Sequence, residues 1–101
     1  MKNMGMLMKQ AQQMQAKMAA FQDSLGDLHM EGSAGGGKVT VVVNGKHELV
    51  SVKFDPEVVA ANDTELLEDL VTAAFHEAQA KVEEYLKVEM TKLTGGVPLP
   101  F

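Results

Sequence analysis

Eight evenly spaced apolar residues near the start of this chain constrain its fold more than any other feature. With Met4, Ala11, Met18 and Leu25 at heptad position a, Leu7, Met14, Phe21 and Leu28 fall at position d, so every seam position is apolar. Lys9, Gln10, Gln12, Gln13, Gln15 and Lys17 fill the positions between, and these are good helix formers with no reason to be buried. The pattern predicts a helix ending near Gly26 that offers a coiled-coil stripe to a partner. A chain of 101 residues makes one domain, 1–101, whose core is adequate but thin, and a second copy is a natural way to thicken it.

A β region follows. Leu28 to Ser33 reads as a strand, AGGG over 34–37 as a loop, and the β-branched run KVTVVV over 38–43 as a second strand. Asn44-Gly45 signals a two-residue type I′ turn into a third strand over 46–54, which would set Val43 opposite Lys46 and Val39 opposite Val50. Val39, Val41, Val43, Val50, Val52 and Phe54 then share one face. Lys38, Thr40, Val42, His47, Leu49, Ser51 and Lys53 share the other, with Val42 and Leu49 as an apolar pair on it.

Asp55-Pro56 predicts an N-cap and first turn of a short helix to about Ala61. A long helix is expected from a capping box at Asn62 and Glu65 to about Leu93, its first half core and its second half projecting. Gly95-Gly96 stops it, and 94–101 forms an extended tail ending in VPLPF. The expected class is α+β, in the order α-β-β-β-α-α. Two helices would lie on one face of a three-stranded antiparallel sheet, and their excess seams would be met by a two-fold dimer with projecting helices.

Several chemistries have no constellation to use. The chain has no cysteine, its three histidines fall in three different elements, and no nucleophile elbow or facing carboxylate pair is present, so no enzyme, metal site, cofactor or small-molecule substrate is expected. GSAGGGK over 32–38 imitates a phosphate loop, but Val39 stands where Ser or Thr is required and a strand follows instead of a helix. No segment approaches the roughly 20 apolar residues of a membrane span, which points to the cytoplasm.

The net charge of −5 argues against a polyanionic partner until its distribution is considered. Lys2, Lys9 and Lys17 meet no acid before Asp23, whereas residues 55–69 hold six acids and no base. Lys2 and Lys9 lie 20° apart on a helical wheel, Lys17 80° further round, and Lys81 and Lys92 again 20° apart, giving each long helix a cationic edge. All nine cations are lysine, which suits phosphate contact and not bidentate reading of guanine.

LMKQAQQMQAKM (7–18), GGGKVTVVVNGKHELVSVKFDP (35–56) and LLEDLVTAAFHEAQAKVEE (66–84), in that order, closely resemble the YbaB/EbfC family of bacterial nucleoid-associated proteins. The resemblance implies a tweezer-shaped homodimer that binds double-stranded DNA with little sequence preference through its first and last helices, located in the nucleoid. Carried onto this sequence, the DNA-contacting residues would be Lys2, Lys9, Gln10, Gln13, Lys17, Lys81, Lys87 and Lys92. The candidate dimer surface is Met4, Leu7, Ala11, Met14, Met18, Phe21, Val42 and Leu49. The absence of arginine departs from the usual family pattern, so binding would rest on local lysine clusters and fall steeply with salt. The competing expectation is a dimeric adaptor whose helix seams and tail bind proteins, with DNA binding incidental.

Overall fold

The computed structural model describes residues 3–93 and 95. The elements are α1 (Met4–Ser24), a 3₁₀ turn (Leu25–Asp27), β1 (His29–Ala34), β2 (Val39–Asn44), β3 (Leu49–Phe54), α2 (Pro56–Ala60) and α3 (Thr64–Leu93). The strands form one antiparallel sheet in the order β1-β2-β3. The expected α+β class and element order are therefore present. Lys2 and the tail beyond Gly95 lie outside the described residues.

α3 covers the sheet, and it does so by close approach of backbone to backbone. Val39, Val41 and Val43 of β2 are fully buried with Ala74, Ala78 and Val82 of α3, and Val58 of α2 closes the cluster. Gly32 of β1 lies directly beneath the helix. A Cβ there would stand 2.5 Å from the Ala78 nitrogen and 3.0 Å from the Ala78 Cβ, and would collide with the Ala74 carbonyl. Three small residues thus let the helix axis drop onto the sheet. The deepest part of α3 is its middle third, not its first half, since Ala78 and Val82 are fully buried while Leu66 is 40% exposed.

Among the described residues α3, joined by Val58 of α2, forms the second layer. α1 contributes no buried residue and packs on neither sheet face, contrary to the two-helix layer expected from the sequence. The reason is the connection: Gly45 N donates to the carbonyls of Leu25 (2.8 Å) and Leu28 (3.0 Å), pinning the 3₁₀ turn to the end of the sheet so that α1 leaves beyond it. The molecule is elongated, 71 × 20 × 17 Å, with a radius of gyration of 19.5 Å where a compact chain of this size would have about 13 Å.

The β2–β3 turn also differs from expectation. His47 N donates to Asn44 O and Asn44 N to Glu48 O, each at 3.0 Å, and His47 takes a left-handed φ of 65°, so the loop is a three-residue turn and not a type I′ pair. The buried Asn44 side chain decides this. Its Oδ1 accepts from Lys46 N (2.9 Å) and Glu48 N (3.0 Å), and its Nδ2 donates to Glu48 Oε1 (2.9 Å). Gly45 is held instead by close packing on Leu25, whose Cβ would lie 2.9 Å from a Gly45 Cβ.

The register shifts accordingly. Val39 faces Phe54, Val41 faces Val52 and Val42 faces Ser51, while a bulge at Val50 sets Leu49 against Val43. The shift is even, so Val52 and Phe54 keep the expected face, but the bulge sets Leu49 opposite Val43, off the face it was expected to share with Val42. Asp55 caps α2 as expected, its Oδ1 accepting from Glu57 N at 2.8 Å. The long helix is capped by Asp63, whose Oδ1 accepts from Leu66 N at 3.1 Å. Asn62, with φ 55°, ends α2 in the left-handed conformation and so cannot open the predicted capping box.

Replacing Gly32 with Ala forces α3 off the sheet, and the expected loss of stability is about 1–3 kcal/mol, as for other overpacked cores. Urea unfolding by circular dichroism measures it; a variant as stable as the parent would show that the contact has slack.

Candidate nucleic-acid interface

α1 and α3 leave the sheet from the same end. Leu70 of α3 lies near Gly35, at the β1–β2 loop, and Gln79 lies at the opposite end, where its Oε1 accepts a 2.7 Å hydrogen bond from His47 Nδ1. The remaining turns of α3 therefore run past the sheet, beside the root of α1. Met18, Phe21 and Gln22 of α1, Leu25 of the 3₁₀ turn, and Leu86 and Met90 of α3 line a cavity of about 320 Å³ between the two helices.

The candidate dimer surface is split by this arrangement. Met18 and Phe21 are half-buried toward α3, whereas Met4, Leu7, Ala11 and Met14 stand open on the projecting part of α1. Val42 is half-buried on the sheet face away from α3, and Leu49 is 56% exposed on the edge strand β3. The structure does not bring these last two together with the α1 seam. It adds Val50 and Phe54, also exposed on β3, because α3 lies over β1 and β2 only.

The cations divide more sharply than the sequence indicates. Lys9, Gln10, Gln13 and Lys17 are all exposed along one side of α1, and neither lysine has a carboxylate within 4.0 Å among the described residues. On α3 the picture differs. Lys81 Nζ donates to the Glu31 carbonyl at 2.6 Å and lies 3.5 Å from Glu77 Oε1, and Lys92 Nζ is 3.2 Å from Glu89 Oε1. Lys81 is thus a clamp between α3 and β1, and of the three α3 candidates only Lys87 has no partner among the described residues. This division could not be read from the wheel, because the Lys81 acceptor is a backbone carbonyl 50 residues away.

Three further lysines without a carboxylate partner among the described residues fell outside the sequence-based candidates: Lys38, Lys46 and Lys53. Lys46 sits over the root of α1, its Cε 3.8 Å from where a Gly26 Cβ would be. Their segment, 38–53, carries these three lysines against Glu48 alone, which is the signal that could have marked them. Among the described residues no group of three or more His, Asp or Glu side chains is placed to hold a metal ion, and no helix is long and apolar enough to cross a membrane.

A model of the YbaB/EbfC DNA-binding family matches residues 1–97. The chain is 53% identical over 100 residues to a nucleoid-associated protein of Paramagnetospirillum magneticum, covering 99% of this chain and 94% of that one. It is 47% identical over 98 residues to a nucleoid-associated protein of Alkaliphilus metalliredigens, covering 97% and 86%. Among solved structures, an uncharacterized protein of Helicobacter pylori shares the fold with a TM-score of 0.79 at 23% identity, over 90% of this chain and 96% of that one.

Because the Lys81 ammonium holds β1 and the Lys87 ammonium meets no described residue, Lys81→Ala is expected to lower stability by about 0.5–1 kcal/mol while Lys87→Ala leaves it unchanged. Paired urea titrations test the difference, and equal midpoints would remove the clamp.

Proposed function

This chain belongs to the YbaB/EbfC DNA-binding family, and we propose that it binds double-stranded DNA as a homodimer, mainly through phosphate contacts from the projecting helix α1. The observation that carries this reading is electrostatic. Residues 3–22 contain no acid, and Lys9 and Lys17 stand exposed, with no carboxylate partner among the described residues, on a helix that buries none of its own residues. Lysine ammoniums contact phosphates as point charges and release counterions, giving affinity with little sequence preference.

The contribution of α3 is smaller than the resemblance implies. Lys87 is available to phosphate, whereas Lys81 and Lys92 must first give up Glu77 and Glu89. Gln10 and Gln13 flank the α1 lysines as neutral hydrogen-bonding groups. A location in the nucleoid follows from DNA binding and agrees with the names of the relatives.

A second copy accounts for the apolar surface. Met4, Leu7 and Met14 on α1 and Leu49, Val50 and Phe54 on β3 are each at least 40% exposed, more than a small monomer leaves in water without reason. Two copies carry a formal −10, twice −5, so the binding surface must be local. Dimerisation would bring two α1 helices to one duplex and double the number of phosphates engaged.

The test is binding to a labelled random duplex across a salt series, with sedimentation of the same sample. The expected result is a dimer whose log affinity falls linearly with log salt. Lys9→Glu plus Lys17→Glu should abolish most binding and flatten the slope by about one for each phosphate that is no longer engaged. Unchanged binding by the double variant would move the site elsewhere. A dimer indifferent to DNA at low salt would make the protein-adaptor reading primary.

A further inference from the structure

One side chain on the cationic side of α1 is explained neither by the seam nor by phosphate binding. Met6 precedes Lys9, Gln10, Gln13 and Lys17 by three, four, seven and eleven residues, the spacings that place side chains on one helical face. It stands about 200° round the helix from Met4 and about 100° from Leu7, so a partner covering the seam would leave it in water. Met6 is 63% exposed, and with Asn3, Leu7 and Gln10 it lines an open hollow of about 340 Å³ at the tip of the helix. An apolar group is thus set among carboxamides and ammoniums on the acid-free part of the chain.

We propose that the tip of α1 enters the major groove of the duplex, with Met6 against a thymine methyl group and the carboxamides of Asn3 and Gln10 on neighbouring base edges. This rests on the DNA-binding reading above and adds a contact that senses base identity. The dimensions agree for a tip that stands apart from its partner's: a single helix with its side chains is about 10–12 Å across and the major groove about 12 Å wide, whereas the minor groove, at about 6 Å, excludes it. The chemistry agrees as well. The thymine C5 methyl is the only apolar group that B-DNA shows in the major groove, and the adenine N6/N7 edge beside it pairs with Asn or Gln amides. Methionine, unbranched and polarizable, adapts to such a contact without exact register. Lys9 and Lys17, about 12 Å apart along the axis, are then left for the phosphates that flank the groove. The outcome is a modest preference for A·T steps over sequence-tolerant binding.

Deoxyuridine gives a direct test, because it removes the methyl group and leaves the pairing edge intact. The full chain and its Met6→Ala variant are titrated against two duplexes of one sequence, one with thymine and one with deoxyuridine. The parent should bind the deoxyuridine duplex about fourfold less tightly, the effect of about one buried methyl. Met6→Ala should show the same weakening on the thymine duplex, no further weakening on the other, and an unchanged salt slope. Alanine favours the helix at this exposed position, so folding is preserved. Equal binding of both duplexes by the parent, or retained discrimination in Met6→Ala, overturns the groove contact while leaving phosphate binding in place. Failure of the parent to bind either duplex overturns the DNA-binding reading itself.

Discussion

The contact of Ala74 and Ala78 with Gly32 sets the rest of the molecule. With no side chain on Gly32 and only methyl groups above it, α3 lies close enough to seal Val39, Val41 and Val43 from water. Burying three valines and the facing alanines is most of what a domain this small can offer, so the helix position tolerates little adjustment. That position also fixes the outward half of α3. A helix of 30 residues is about 45 Å long and a strand of six about 20 Å, so a helix centred on Gly32 must overrun the sheet.

α1 has no such anchor along its length. It is tied down at its root by the Gly45 amide, with Met18, Phe21 and Leu25 facing Leu86 and Met90 across a cavity, and its outer half is a free-standing helix. Isolated helices of this length are marginal in water, and no described residue caps its start, since Asn3 makes no side-chain cap hydrogen bond. Helix order at the tip is therefore coupled to whatever covers Met4, Leu7 and Met14. A second copy or a duplex would each favour the helical form, and each would then assist the other.

How much of this was legible in the sequence depends on the range of the interaction. Local signals read well: the seam predicted α1, Asp55-Pro56 the start of α2, and β-branching the strands, because each rests on residues within one turn or one pleat. Alternation on β2 and β3 also held where the register error was even. What failed was decided at a distance or by competition between adjacent groups. Asn44 spends its side chain on two turn amides, which excludes the type I′ turn that Asn-Gly otherwise favours. Asp63 outcompetes Asn62 as a cap because Asn62 is already used to end α2. The spacing of Glu77 and Lys81 already offered that lysine an acid one turn away, but only the fold brings the Glu31 carbonyl to it.

DNA binding by an acidic protein requires acids to be kept away from the phosphates, and the topology separates the most acid-rich stretch of this chain from α1. Asp55 is tied by its amide to the Lys38 carbonyl at 2.7 Å, which places the acid-rich stretch 55–69 at the β1–β2 loop end of the sheet. α1 departs from the other end, where Gly45 meets Leu25. The strands between them span about 20 Å, twice the Debye length of about 10 Å at 0.1 M salt. At that separation the acids repel a duplex on α1 only weakly. Of the glutamates nearer to it, Glu77 and Glu89 are engaged by Lys81 and Lys92, while Glu83 and Glu84 stand exposed with no lysine partner among the described residues. On the proposed reading the two paired lysines of α3 offset local acid, leaving Lys9 and Lys17 of α1 for the phosphates. Raising salt screens both effects, but the attraction is spread over several counterions and is lost first, so the net charge sets solubility more than it sets affinity.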